Sequence, residues 1–192
     1  MTDVTGILLA AGTAKRFGSA KLQHTLHNGV PMGVAAAQVL IQAVPDTIAV
    51  VRPGDRVLKE AFLAAGLKVV ENPRAAEGMS TSLAAGVKAA PGAGGWIIAL
   101  ADMPWIQPAT INKLADRLRN GTSMIAPVYR GRRGHPVGFA SCWGNRLKTL
   151  RGDKGAKDLL TEYCDKLVLL NTDDPGVIED IDYPDALERY NE

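Results

Sequence analysis

The chain has 192 residues, 46% of them apolar and 22% charged, with a formal net charge of +2, which suits one domain spanning 1–192 with its own core. So small a charge argues against nucleic acid as the main partner, and no apolar run approaches the ~18 residues needed to span a membrane. No basic-then-apolar leader opens the chain, and Cys142 and Cys164 lack metal-site or disulfide-framework spacing, so a cytoplasmic protein with free thiols is expected.

In chain order, residues 7–11 form a short apolar run, the pattern of a strand buried on both faces. Gly12 ends it and opens a loop carrying Lys15, Arg16, Gly18 and Lys21. Glycines let backbone N–H groups approach phosphate oxygens, and the cations offset their charge, so the loop suits a polyphosphate. A solvated surface loop explains the same residues. No GKS or GKT closes it as in a Walker loop, and its glycines make no GxG pair.

Residues 32–43 have helical spacing, ended by Pro45, and 47–51 read as a second strand turning at Arg52-Pro53-Gly54. Asp55 caps a helix through Ala65, stopped by Gly66, and 67–70 are a third strand. Asn72-Pro73 opens a loop, 80–90 are helical, and 96–100 are a fourth strand ending at Ala101-Asp102-Met103-Pro104. A helix over 108–118 and a strand over 124–128 follow. This alternation predicts an α/β fold, a mostly parallel sheet with helices on both faces. Such sheets bind ligands beyond the carboxyl ends of their strands, where the first loop, Arg52, Asn72 and Asp102 all fall.

The final third is less regular. Residues 129–134 read as an Arg/Gly-rich turn and 135–139 as a strand; helical segments cover 143–150 and 154–163. Residues 168–170 read as a last core strand, and a terminal helix follows Pro184.

Asp102 follows a buried strand directly. Mg²⁺ takes one or two protein carboxylates plus phosphates and water, so Asp102 and the first loop can together grip a metal–nucleotide. A helix N-cap is the alternative. Asn72 and the run Glu77-Gly78-Met79-Ser80-Thr81-Ser82 suggest a helix entrance that attracts an anion or the polar edge of a base. Plain capping explains Ser80 as well. His135, between Gly134 and Pro136, is either a donor to an anionic acceptor or a structural histidine. Asp153, Lys154 and Gly155 suit an acceptor contact or a solvated cap, and Asp182 a second metal ligand or another cap.

The runs LAAGTAKRFGSAKL, NPRAAEGMSTSL, ALADMP, RGHPVGF, GDKGAKDLL and DIDYPDAL occur together and in this order. In them the chain resembles the MobA-like nucleotidyltransferases, most of all the molybdenum cofactor cytidylyltransferase (MocA-type) branch, from Gly6 to about Leu187. It departs from that branch at Gln23 to His27, at Ala101 and Met103 around Asp102, and at Tyr183. The resemblance implies a Rossmann-like three-layer α/β/α domain of the nucleotide-diphospho-sugar transferase type. It implies Mg²⁺-dependent nucleotidyl transfer from a nucleoside triphosphate to a phosphorylated acceptor, with release of pyrophosphate. For the MocA-type branch the donor is CTP and the acceptor molybdopterin carrying molybdenum, with a molybdoenzyme or its chaperone as a further partner. Leu9-Ala10-Ala11-Gly12 stands where the guanylyltransferase branch has LAGG, which favours cytosine. Carried over by position, Gly12, Arg16 and Lys21 match the triphosphate loop, with Arg16, Lys21 and Asp102 catalytic. Asp102 matches the Mg²⁺ ligand, and His135 and Asp153–Gly155 match the acceptor side. Leu9, Ala10, Ala11, Arg52, Asn72, Gly78, Ser80 and Ser82 complete the expected nucleotide side. Transfer to a sugar or alcohol phosphate, and a non-catalytic protein that delivers molybdopterin, are the other two functions compatible with these residues.

Overall fold

A computed structural model describes residues 3–12 and 21–181. Val4–Leu9 (β1), Thr47–Val51 (β2), Lys68–Glu71 (β3) and Gly95–Leu100 (β4) form a parallel half-sheet in the order β3-β2-β1-β4. Every residue of β1 is buried, as its unbroken apolar run requires of a central strand. Met32–Ala43 (α1), Arg56–Ala64 (α2) and Met79–Ala89 (α3) cross between these strands, and Pro108–Arg119 (α4) leads out of β4. Asp55 caps α2, accepting the Leu58 N–H at 3.3 Å, and Gly66 ends it with φ 90°.

The second half of the sheet is mixed. Met124–Tyr129 (β5) turns through Arg130 and Gly131 into Arg132–Arg133 (β6), so the stretch expected to be a plain turn carries a short hairpin. Val137–Ala140 (β7) enters antiparallel between β4 and β5. Gly144–Leu147 (α5) and Lys157–Glu162 (α6) follow, and Leu167–Asn171 (β8) pairs in parallel with β5. The expected core strand over 168–170 is corrected here: β8 lies at the sheet's edge, with Val168 42% and Leu169 55% exposed. Its apolar run resembles that of a buried strand, but with β5 already paired to β6 and β7, β8 takes the free side.

Alternation along the strands divides the interior into two cores, the period-2 consequence of a pleated backbone. Leu8, Ala49 and Ile97 face α1, α2 and α4 through Leu40, Phe62, Ile111 and Leu114. Ile7, Val50 and Ile98 face α3, α5 and α6 through Leu83, Val87, Leu147 and Leu160. The three-layer α/β/α arrangement follows directly. None of the described helices is long and apolar enough to cross a membrane. The terminal helix expected after Pro184, and the sites expected at Arg16 and Asp182, lie outside the described residues.

Candidate nucleotide site

The carboxyl ends of β1, β2, β3 and β4 form one edge, and of the polar groups expected there Arg52, Asn72 and Asp102 follow those strand ends, while residues 13–20 of the first loop lie outside the described residues. Past β1 the chain stays clamped between its neighbours: Ala10 donates its N–H to Val50 at 2.9 Å, and Leu9 accepts from Ala101 at 3.2 Å. Leu9, Ala10 and Ala11 are buried, whereas Gly12 is exposed, with none of the described residues within 4 Å of where a Cβ would stand.

Lys21 begins a short 3-10 turn, Lys21–Gln23, and is buried. Its Nζ donates to Asp102 Oδ2 at 2.9 Å, bringing the lysine of the expected triphosphate loop and the expected metal ligand into direct contact across 81 residues. The Asp102 side chain remains 29% exposed against 8% for Lys21, so the carboxylate is the open member of the pair. Helix α4 begins only at Pro108, which removes the N-cap alternative for Asp102. The N-cap position of α4 is Gln107, and the entrance is steadied by Asp174, whose buried Oδ2 accepts the Gln107 N–H and the Thr110 hydroxyl, both at 2.8 Å. Arg52, at the end of β2, lies half-exposed with its guanidinium 3.9 Å from Asp55.

The segment from Asn72 to Ser82 differs from the expectation of side chains presented to a ligand. Asn72 is buried and its Nδ2 donates to Thr81 Oγ1 and Ser82 Oγ at 2.9 and 3.0 Å, while its side-chain Oδ1 accepts the Arg74 N–H. Ser80 is buried, with its N–H on the Gly152 carbonyl at 2.9 Å and its hydroxyl on that of Gly155 at 3.3 Å. Buried polar groups must be satisfied, and here they satisfy one another. Asn72, Ser80 and Ser82 therefore brace a wall of the site. Gly78 leads into α3 with φ 114°. Across from it stand Gly152, Asp153 and Gly155, with Asp153 and Lys154 exposed and Lys154 paired to Asp158 at 3.2 Å.

His135 is held by its backbone. Its N–H donates to Val177 at 2.7 Å, and its bond to Pro136 is cis. Its Nδ1 is sealed from solvent without a hydrogen-bond partner, although the residue as a whole is only partly buried. Burial holds the imidazole below the ordinary histidine value; the Asp102 carboxylate pulls the other way, and the Arg133 guanidinium pushes further down. His135 thus lies within electrostatic range of both Asp102 and Arg133. Sequence reasoning passed over Arg133 although it stands inside the RGHPVGF run. It also passed over Ile181, which is buried beside Met32 and donates its N–H to the Asp102 carbonyl at 3.1 Å.

Among the described residues, no three His, Cys, Asp or Glu side chains gather into a metal cage. A single open carboxylate at a strand end, paired with a lysine ammonium, fits a hard divalent cation that keeps most of its sites for phosphate and water. It does not fit a closed zinc site.

Comparison with known proteins bears on the family and the fold. The family model described as the MobA-like NTP transferase domain matches residues 6–167. Two curated relatives match nearly end to end. Nicotine blue oxidoreductase of Paenarthrobacter nicotinovorans is 27% identical, over 97% of this chain and 95% of its own. Purine catabolism protein PucB of Bacillus subtilis (strain 168) is 28% identical, over 95% and 93%. Among solved structures, Rv0371c of Mycobacterium tuberculosis H37Rv superposes with TM-score 0.82 at 28% identity, covering 98% of this chain and 97% of that one. A second structure of Rv0371c is a complex with manganese, at TM-score 0.79 and 26% identity over 98% and 97% of the two chains. A nucleotidyl transferase from Methanothermobacter shares the fold at TM-score 0.83 and 23% identity, over 97% and 95%.

Proposed function

This chain belongs to the MobA-like NTP transferase family, and we propose that it is a nucleotidyltransferase that transfers CMP from CTP to molybdopterin-bound molybdenum cofactor, releasing pyrophosphate. The observation that carries the proposal is the Lys21–Asp102 pair, 2.9 Å apart at the carboxyl ends of the central strands. An ammonium and an open carboxylate beside a glycine-punctuated basic loop are what a metal–triphosphate requires.

A phosphate oxygen of the acceptor attacks the α-phosphorus of CTP, and the bond from that phosphorus to the bridging oxygen breaks. Pyrophosphate leaves with the electron pair. The acceptor phosphate is already ionised at neutral pH, so the task is alignment and charge neutralisation, and no general base is needed. Asp102, with Asp182 as second ligand, would hold the divalent ion, taken here as Mg²⁺; the ion supplies neutralisation and alignment of phosphate oxygens when bound. The Ile181–Asp102 bond supports Asp182, next in the chain, as that ligand. Lys21 then exchanges its carboxylate partner for the departing pyrophosphate, and Arg16 holds the triphosphate tail. Ala10 and Ala11 shape the pocket for cytosine, and the wall from Asn72 to Ser82 backs the nucleotide. His135, held neutral by burial, donates one N–H toward the acceptor. Asp153, Lys154 and Gly155 line the acceptor's other side. A cytoplasmic molybdoenzyme or its chaperone is the proposed recipient of the product.

The test is steady-state turnover with molybdenum-loaded molybdopterin and either CTP or GTP. CTP should lead in kcat/KM by about tenfold, which needs only ~1.4 kcal/mol of differential binding. Equal use, or a preference for GTP, overturns the cytidylyl assignment. Pyrophosphate release with a sugar or alcohol phosphate but not with molybdopterin overturns the acceptor.

A further inference from the structure

Two loops assigned to opposite substrates are locked together. The first turn of α3 has no capping side chain of its own; the Gly152 carbonyl, 72 residues away in sequence from Ser80, accepts the Ser80 N–H instead. The Ser80 hydroxyl reaches the Gly155 carbonyl, so two bonds tie the same residue to both ends of the 152–155 turn. Gly78 makes the joint possible. A Cβ there would collide with Asp153 Oδ1 and with the Gly152 carbonyl, and its φ of 114° disfavours any other residue. On the other side of the joint, a Cβ on Gly155 would stand 3.1 Å from Met79 Sδ. The carboxylate of Asp153 thus lies at the amino end of an 11-residue helix, where the helix dipole favours it.

We propose that Gly78 is a positioning residue that seats the 152–155 turn on α3, so that a nucleotide bound against the wall from Asn72 to Ser82 orders the acceptor side before the acceptor arrives. This rests on the nucleotidyl-transfer function proposed above. The physical basis is shared ordering: a first ligand that rigidifies the joint meets the entropy cost that the second would otherwise meet. Substrate binding is then ordered, with the nucleotide first, and the two substrates favour each other reciprocally.

Hydrogen exchange on the full chain with CTP and Mg²⁺, and separately with GTP and Mg²⁺, both without acceptor, tests this. Peptides covering residues 9–23 report nucleotide occupancy independently of the joint. In the wild type, amides of 152–157 should slow by about fivefold or more alongside them, the lower end of ordinary coupling between sites. In Gly78→Ala, with nucleotide raised until 9–23 is slowed as in the wild type, the slowing at 152–157 should be lost. Ser80→Ala, which removes one bond without adding bulk, should give a smaller coupled slowing than the wild type. A merely structural Gly78 would alter exchange in the free protein and leave the nucleotide-dependent response in place. Slowing at 9–23 with none at 152–157 in the wild type overturns the coupling and leaves the nucleotide site standing. Full coupling in both variants overturns the role of Gly78. No slowing at 9–23 with either triphosphate overturns the nucleotide site, and the coupling with it.

Discussion

Lys21 is the residue at which sequence and geometry meet most directly. Its place at the end of a basic loop and Asp102's place after a strand were both legible, but their contact was not. A 2.9 Å ion pair across 81 residues depends on β1 and β4 lying side by side, which no local pattern reports. The pair also changes what a substitution should do. Lys21→Ala leaves Asp102 with solvent access, so the fold should survive better than it would around a sealed, unpaired charge. Catalysis should not. A cation that meets negative charge mainly as pyrophosphate departs contributes to kcat more than to KM. Turnover of Lys21→Ala should fall by on the order of 10²-fold, the loss typical of removing one transition-state donor, with nucleotide affinity reduced only modestly. Steady-state kinetics at saturating acceptor, paired with calorimetric titration of CTP, reads both quantities. An unchanged kcat with a raised KM would make Lys21 a binding residue and displace it from the leaving-group role.

At the scale of elements, periodicity was a good guide wherever burial was one-sided or complete. The bounds of α1 and β2 match the apolar spacing to the residue, because Pro45 and the Arg52-Pro53-Gly54 turn punctuate them. It was a poor guide where partner choice decides the outcome. The apolar run of β8 sits on an edge, and the charged pair Arg132–Arg133 is a strand because β5 offers it a partner. Gly86 shows the same limit inside α3, since glycine is a poor helix former and periodicity gives it no role. In the structure it is the contact surface: a Cβ there would stand 2.6 Å from Ile7 Cγ2 and 3.1 Å from Val50 Cγ2, both on central strands. Gly86→Ala should therefore destabilise the protein by about 1–3 kcal/mol through overpacking, despite the ~1 kcal/mol that alanine gains over glycine in a free helix. Urea unfolding measures the difference. A stability equal to or above the wild type would show that α3 moves off the sheet freely.

Over the whole molecule, the chain closes back upon the edge where it began. The β–α alternation that predicts a parallel sheet accounts for β1 to β4, yet it could not announce that β7 enters antiparallel between β4 and β5, which brings His135 within electrostatic reach of Asp102. Nor could it announce the path that follows β8. There the chain packs Gly176 against the Trp105 carbonyl, places Val177 against Gly134, and ends its described course with Ile181 on the Asp102 carbonyl. Ile181 is fully buried against Met32, so an apolar anchor fixes the backbone of the candidate metal ligand from behind. Contacts of that kind behind a metal ligand typically change affinity by 10–100-fold when removed. Ile181→Ala should thus weaken Mn²⁺ binding in the presence of CTP by about tenfold, read from the free-Mn²⁺ signal in electron paramagnetic resonance. Val44→Ala supplies the comparison, since Val44 is equally buried but lies before β2, at the opposite end of the sheet. Both changes remove buried methyl groups and lower stability. Only Ile181→Ala should loosen the metal. Equal Mn²⁺ affinity in the two variants would mean that the tail stabilises the fold without setting the geometry at Asp102.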